Sequence, residues 1–256
     1  DADPALSAEE MAFNGSILRV AADPDANMLR DALEAEDIRV FAAMPRTATL
    51  NKPSRYLGLQ QAQERPELDA DLNEAADLID RHVDLTMLPP LIPVPQMPAQ
   101  SLTPPAQTIA IASDVAFGFS YPHMVNDWRD HGATVTVFSP LNNDPVPPAE
   151  FVFLPGGYPE LHAGHLAAQS TFLTSLRQHK GQIYGECGGY MTLGETLTDA
   201  DGITHKMAGL LPLGTSIADR KLHLGYRTLA TDHGPFAGHW HGHEFHYATT
   251  THATGA

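Results

Sequence analysis

Residues 181–195 read GQIYGECGGYMTLGE, and this stretch predicts a strand, a sharp turn and a helix in immediate succession. Cys187, the only cysteine of the chain, occupies the turn, with Gly185, Gly188 and Gly189 around it. Glycines permit the strained backbone of a nucleophile elbow, which lifts the side chain out at a helix N-terminus. Because the positive end of the helix dipole favours a thiolate, we predict that Cys187 is a poised catalytic nucleophile. A buried, unreactive cysteine is the competing interpretation.

Strands and helices alternate from residue 108 onward. The pattern predicts strands at 108–112, 133–138, 151–154 and 181–184, and helices near 122–131, 159–179 and 191–195. This alternation is typical of a doubly wound α/β fold, in which ligands bind at the C-terminal ends of parallel strands. Gly156, Gly157 and Cys187 all fall at such ends. We therefore expect Gly156, Gly157 and the N–H of Gly188 to position an oxyanion; an ordinary strand-to-helix turn is the alternative for the glycine pair.

A proline-rich stretch divides the chain near residue 100. Residues 88–98 read LPPLIPVPQMP and TPP follows at 103–105, a density that favours a semi-rigid linker. In front of it, strands at 15–20 and 38–44 flank a helix at 26–35, which predicts a βαβ unit with Met28, Leu29 and Leu33 facing inward. A last helix at 68–82 precedes the linker.

Composition excludes several classes of protein. The 15 Lys and Arg residues against 31 Asp and Glu residues give a formal charge of −16, which opposes a nucleic-acid partner. A single cysteine allows no internal disulfide and no Cys-based zinc cluster, as expected in a reducing cytoplasm. No apolar run approaches the roughly 18 residues of a membrane span, and residues 1–4 lack the start of a signal peptide. We expect a cytoplasmic enzyme with neither a nucleic-acid nor a membrane partner.

Six motifs in order resemble the glutamine amidotransferase domain of cobyrinic and hydrogenobyrinic acid a,c-diamide synthases. They are ASDVAFGFSYPH at 112–123, FSPL at 138–141, LPGGYPEL at 154–161, the elbow around Cys187, LGYR at 224–227 and GHEFHY at 242–247. In the front part, AMPR at 43–46 and PSRYLGLQQAQE at 53–64 resemble the end of the family's ATP-binding domain, with Tyr56 at a usual histidine position. The resemblance covers nearly the whole chain.

The resemblance implies three parts: the C-terminal portion of a P-loop-type ATP-binding α/β domain at 1–88, a Pro-rich linker at 89–107, and a flavodoxin-like class I glutamine amidotransferase domain at 108–256. It implies that Cys187 hydrolyses glutamine through a glutamyl thioester. The ammonia would then amidate the a and c carboxylates of a corrin-ring precursor, hydrogenobyrinic or cobyrinic acid, after activation by ATP and Mg²⁺ in cobalamin biosynthesis. The variant Tyr121-Pro122-His123 favours the cobalt-free substrate, and a homodimer is expected. A cobyric acid synthase-type amidotransferase is the alternative.

Two features of the family are missing from these 256 residues. No Gly-x-x-x-x-Gly-Lys loop occurs, so we expect the chain alone to bind no cofactor tightly. The family's catalytic histidine lies in a later segment resembling GTFFH, so we interpret the chain as truncated at both ends. His246 and His243 are candidates for the base or for contact with the substrate. Ala248 stands where triad amidotransferases place the orienting carboxylate, and Met191 where they often place a glutamine-binding Gln.

The histidines of HWHGH at 239–243 suggest a rival function. On a strand their three imidazoles share one face, with His233 and His246 nearby, which is the pattern of a zinc- or nickel-binding module. An exposed polar strand is the competing interpretation. Since no carboxylate spacing completes a ligand set, we predict no metal site. An inactive, scaffolding amidotransferase-like domain is a further alternative.

Overall fold

The computed structural model describes residues 16–20, 23–45, 47, 54–55, 58–87, 101–232, 234 and 237–254. Residues 89–100 of the predicted linker lie outside these ranges, as do Tyr56 and His233. The chain divides into two compact units, residues 1–97 and residues 98–256, and each is described by itself.

The first unit contains the predicted βαβ arrangement. Strands β1 (Ser16–Val20) and β2 (Val40–Pro45) pair in parallel, and the helix Asp23–Glu34 connects them. Two short antiparallel strands follow, β3 (Ser54–Arg55) and β4 (Gly58–Leu59), and a helix spans Leu68–His82 with the predicted bounds. Short 3₁₀ turns lie at Ala62–Glu64 and Leu85–Met87.

The expected inward face of the first helix is wrong. Met28 and Leu29 are exposed, at 65% and 39% of their surface, whereas Leu33 is half-buried. The guanidinium of Arg30 donates a hydrogen bond to the carbonyl of Val40, 3.0 Å away, which turns Arg30 and Leu33 towards β2. Arg30 and Leu33, three residues apart, share this helix face, whereas Met28, two residues before Arg30, lies on the opposite side.

The second unit is built on a four-stranded parallel sheet. Its strands are β5 (Thr108–Ala112), β6 (Thr134–Phe138), β7 (Phe151–Leu154) and β8 (Gln182–Gly185), in the order β6-β5-β7-β8. Every pair of neighbours is parallel. Along this sheet the second strand in chain order comes first, followed by the first, third and fourth strands, and a flavodoxin-like sheet begins with the same order. The prediction of an α/β fold with a parallel sheet is confirmed.

Alternate residues of β5 and β7 belong to two separate hydrophobic cores, one on each face of the sheet. Ala110, Ala112, Val152 and Leu154 pack on one face with the helix Ser170–Gln178, and Ile109, Ile111, Phe151 and Phe153 pack on the other with Trp128 of the helix Pro122–Asp130. Because side chains alternate along a strand, a sheet covered on both faces needs apolar residues at consecutive positions. The run FVFL of β7, which is wholly buried, meets that need.

The single helix predicted at 159–179 is divided into three pieces. A 3₁₀ turn at Pro159–His162 leads into helices Ala163–Ala167 and Ser170–Gln178. The side-chain oxygen of Asn143 accepts hydrogen bonds from the backbone N–H groups of Thr171 and Phe172, at 2.9 and 3.1 Å. This remote side chain satisfies donors that a helix start leaves without partners, so the break is stabilised by a contact that local sequence does not reveal.

Smaller sheets complete the described part of the second unit. Strands β9 (Thr196–Thr198), β10 (Thr204–Lys206), β11 (Leu213–Ser216) and β14 (Thr249–Ala253) form a sheet in the order β10-β9-β11-β14. Strands β12 (His223–Thr231) and β13 (Gly238–His246) form an antiparallel hairpin. Among the residues described in either unit, no helix combines the length and the apolar character that crossing a membrane requires.

Candidate active site

Cys187 lies on a strained turn between β8 and a helix that spans Gly188–Leu193, a little earlier than predicted. Its backbone has φ +48° and ψ −112°, and such a conformation in a residue other than glycine costs about 1–3 kcal/mol. Packing maintains the turn: a Cβ atom at Gly189 would collide with the carbonyl of Leu154, and one at Gly185 would lie 2.8 Å from the carbonyl carbon of Gly189. Only glycines fit where the helix crosses the strands.

The structure brings Cys187, Gly156, Gly157 and Gly188 together. β7 and β8 are neighbours in the sheet, so the turns that follow them lie at the same edge. The Cβ position of Gly156 is 3.1 Å from the Cβ of Cys187 and 3.5 Å from its sulfur. The backbone N–H groups of Gly157 and Gly188 lie close enough to that sulfur to stabilise its thiolate form and lower its pKa. Two amides and one thiol therefore converge on a single point, where an added acyl oxygen would meet donors.

The expected poised thiolate is not found, because the pKa of Cys187 is raised. The residue is exposed to solvent, but protein atoms around the sulfur displace enough water for desolvation to be the largest influence. The amides of Gly157 and Gly188 oppose this by stabilising the thiolate, and the carboxyl groups of Glu160 and Glu186 add to the increase.

Glu186, inside the elbow itself, was not predicted as a site residue. Burial raises its pKa, while hydrogen bonds with Tyr121 and Tyr184 act in the opposite direction. The hydroxyl of Tyr184 lies 3.4 Å from the carboxyl oxygen. Burial and the nearby Glu186 raise the pKa of both tyrosines to about 12, so both remain donors. The position of Glu186 directly before Cys187 could have identified it from the sequence. The hydrogen bond between Tyr121 and Glu186 depends on the fold and has no signal in the sequence.

A cavity of about 430 Å³ opens beside the elbow within the second unit. Glu186 supplies a carboxyl group to a lining that is otherwise mainly apolar, including Trp128, Phe153, Tyr184, Leu229 and Trp240. Aromatic and aliphatic walls with few polar groups are typical of ligand pockets. Glu186, which lines this cavity, directly precedes Cys187, the candidate nucleophile.

The two candidate histidines lie on opposite faces of β13. His246 contacts Ala248 and Glu244 through its two ring nitrogens and stacks on His223. His243 packs against Tyr226, with ring centroids 5.5 Å apart. Among the contacts found in the described residues, neither histidine reaches Cys187.

The rival metal set is assembled differently from the sequence expectation. His239, His241 and His243 alternate along β13 and are all exposed, as an exposed polar strand predicts. Within the described ranges, the group of potential metal ligands that lie close together is instead His223, Glu244 and His246. Glu244 lies on the other face of β13 from His239, His241 and His243 and shares a face with His246 two residues away, so the expectation that no carboxylate completes the set of alternating imidazoles stays a prediction.

A parallel α/β sheet with a cysteine on a strained strand-to-helix turn, faced by two backbone amides, is typical of domains that transfer acyl groups through a thiol. Residues 108–256 match the CobB/CobQ-like glutamine amidotransferase domain. The match covers more than half of the chain, and the chain belongs to this family.

Curated relatives agree with that membership. The chain is 48% identical over 246 residues to a hydrogenobyrinate a,c-diamide synthase of Rhodobacter capsulatus, covering 92% of this chain and 56% of the relative. It is 44% identical to the protein of that name from Brucella anthropi and 45% identical to the one from Rhizobium meliloti, each match covering 94% of this chain and 58% of the relative. The chain thus spans somewhat more than half the length of these relatives.

Proposed function

We propose that Cys187 is the nucleophile of a glutaminase reaction whose ammonia serves an amidating ligase. The observation that carries the proposal is the convergence of the Gly157 and Gly188 amides on the Cys187 sulfur, within a chain of the glutamine amidotransferase family. An inert packing cysteine requires neither a positive φ nor amide donors at its sulfur. Both features suit a thiol that must carry and then release an acyl group.

The proposed reaction runs through a thioester. The sulfur of Cys187 attacks the side-chain carboxamide carbon of glutamine, a C–S bond forms, and the carbonyl electron pair moves onto oxygen. The amides of Gly157 and Gly188 stabilise that oxyanion, while Gly156 leaves space beside the sulfur. As the carbonyl re-forms, the C–N bond breaks and nitrogen leaves as ammonia with the proton that the thiol gave up. Water then hydrolyses the thioester to glutamate and restores the thiol.

A base must take the thiol proton, because the raised pKa of Cys187 keeps the sulfur protonated at neutral pH. The described contacts of His246 engage Ala248, Glu244 and His223, and those of His243 engage Tyr226 and Phe245. We assign neither of them as the base. The family resemblance supports a histidine in a later segment of the whole protein.

We propose that the ammonia amidates the a and c carboxylates of hydrogenobyrinic acid, as the name of the relatives indicates for those proteins. Cobyrinic acid, its cobalt-containing counterpart, is the alternative substrate. Converting a carboxylate into an amide requires activation, for which ATP and Mg²⁺ are the proposed cofactors. No Gly-x-x-x-x-Gly-Lys loop occurs in these 256 residues, so the remainder of the protein supplies the nucleotide site.

The domain assignment remains part of the proposal. Residues 1–88 would form the C-terminal portion of the ATP-binding domain, 89–107 a linker, and 108–256 the amidotransferase domain. In residues 1–88, the guanidinium of Arg55 forms two hydrogen bonds of 2.7 Å to the carboxylate of Glu64. This contact gives the segment at 53–64, which resembles the end of the family's ATP-binding domain, a structural role.

A cytoplasmic location and a homodimer are further proposals, and sedimentation of the complete protein tests the homodimer.

Comparing nitrogen donors tests the proposed division of labour. In the complete protein, Cys187→Ser should lower glutamine-dependent diamide formation by a factor on the order of 10³ or more, because the nucleophile is lost. Diamide formation with added ammonium should continue, since that route bypasses Cys187. If the variant remains folded and both donors fail to the same extent, Cys187 does not have the proposed role.

A further inference from the structure

The inner face of the β12–β13 hairpin gathers three groups that the glutaminase reaction does not use. His223 pairs directly with His246 across the two strands, and Glu244 lies on the same face as His246. The two imidazole rings stack with centroids 4.7 Å apart and planes 13° from parallel. One potential ligand atom from each of the three residues lies within 4.8 Å of the others, and all three residues are half-buried.

The hydrogen bonds of His246 determine which of its nitrogens carries a proton. Nδ1 is 2.9 Å from the carbonyl oxygen of Ala248, and a carbonyl oxygen only accepts, so Nδ1 is the donor. In the neutral ring, Nε2 then carries a lone pair, which points at Oε1 of Glu244, 2.9 Å away. Two acceptors do not face each other at this distance unless a cation lies between them. At this distance the cation is a proton, and a metal ion can take its place if the two side chains move slightly apart.

Glu244 is ready to serve as an anionic ligand. Arg227 contacts Oε2, which leaves Oε1 directed towards His246. Gly225 is the residue opposite Glu244, so no side chain of that residue covers the carboxylate from the facing strand.

We propose that His223, Glu244 and His246 bind a divalent transition-metal ion, with Zn²⁺ as the expected occupant. Two imidazoles and one carboxylate are a common zinc ligand set, whereas Mg²⁺ prefers oxygen ligands alone. Ligand bonds of about 2.0–2.2 Å at a tetrahedral angle place two donor atoms roughly 3.3–3.6 Å apart, so Nε2 and Oε1, now 2.9 Å apart, would separate by about half an ångström to share one ion. The bond from Nδ1 of His246 to a backbone carbonyl is the contact that usually orients a metal-binding imidazole. Three protein ligands leave a fourth position for water or another molecule.

Calorimetric titration of the metal-free full chain with ZnCl₂ tests this site directly. We expect one equivalent of Zn²⁺ to bind, and MgCl₂ at the same concentration to give no comparable heat. His246→Ala and Glu244→Gln should each weaken binding by more than the roughly 10- to 100-fold that loss of a ligand's hydrogen-bond partner costs. His241→Ala is the matched control, because it removes an imidazole from the outer face of the same strand and should leave affinity unchanged.

Two further measurements separate a metal site from a protonated ion pair. Zn²⁺ should displace a proton from the cluster, so the heat of binding should vary with the ionisation enthalpy of the buffer and affinity should fall on acidification. Arg227→Met should strengthen Zn²⁺ binding, because it removes a competing positive charge from Glu244. Absence of stoichiometric binding, or binding that survives His246→Ala and Glu244→Gln in folded protein, would overturn the proposal. So would binding that depends on His241.

Discussion

At Cys187, the local environment favours the neutral thiol even though two amides stand ready to stabilise an anion. Burial of the sulfur and the carboxyl groups of Glu160 and Glu186 outweigh the donors at Gly157 and Gly188. In the proposed reaction, the same donors would stabilise an oxyanion that forms only after the sulfur attacks. Stabilising the transition state more than the resting state is what accelerates a chemical step.

The raised pKa of Cys187 is measurable by alkylation. Iodoacetamide reacts with the thiolate, so the rate should still be rising with pH beyond about 8.5, where an ordinary thiol is half ionised. Glu186→Gln should move the midpoint to lower pH, because it removes a negative charge next to the sulfur. Asp130→Asn, a change at an exposed carboxylate on another element, is the control. A midpoint below 8.5 in the unmodified chain would contradict this description of the site.

Glu186 should make the stability of the chain depend on pH. Burial raises its pKa in the folded state above the unfolded value, so the folded state binds the proton more tightly. The associated stability is present in acid and is lost as pH rises from the unfolded pKa through the folded pKa. Glu186→Gln cannot ionise, so its free energy of unfolding relative to the natural chain should increase between about pH 4 and pH 7. Urea titrations across that range measure the difference in free energy of unfolding between Glu186→Gln and the natural chain, with Asp130→Asn as the control. If that difference stays constant or decreases as pH rises, the pKa of Glu186 is not raised.

At the scale of elements, the elbow depends on glycines that let a helix pass close to two strands. Gly189→Ala would drive a methyl group into the carbonyl of Leu154 and should destabilise the chain by roughly 1–3 kcal/mol. Gly164→Ala is the matched control, because its methyl would meet only the ring of His205, 3.3 Å away, and alanine favours the helix Ala163–Ala167. Chemical denaturation compares the two. Equal stabilities would mean that the elbow relaxes without cost.

Elements whose signal is local could be predicted, and those set by remote contacts could not. The buried run of β7 and the helix Leu68–His82 follow from apolar content and periodicity, and both have the predicted bounds. The helix break before Ser170 is stabilised by Asn143, which lies 27 residues earlier in the chain. The helix Asp23–Glu34 faces β2 with Arg30, whose side chain donates a hydrogen bond to the carbonyl of Val40. Side chains that reach across the fold leave no periodic trace in sequence.

At the scale of the whole molecule, some residues of the candidate site have a local signal in the sequence, and others come together only through the fold. Cys187 and the glycines could be predicted because a single turn type demands them. Tyr121 and Glu160 come near the elbow only through the arrangement of the sheet, and the cluster of His223 with Glu244 and His246 depends on the register of a hairpin. The sequence therefore indicates which residue is the proposed nucleophile, while the fold decides which groups raise or lower its pKa.

Covalent trapping tests whether Cys187 is the nucleophile of a glutamine site. The full chain is incubated with a glutamine analogue that carries a chloroketone in place of the carboxamide, and intact mass is followed over time. We expect one adduct per chain on Cys187, slowed by excess glutamine but not by glutamate at the same concentration, and absent from Cys187→Ser. An adduct that forms equally in Cys187→Ser, or at a rate that glutamine does not change, would contradict it.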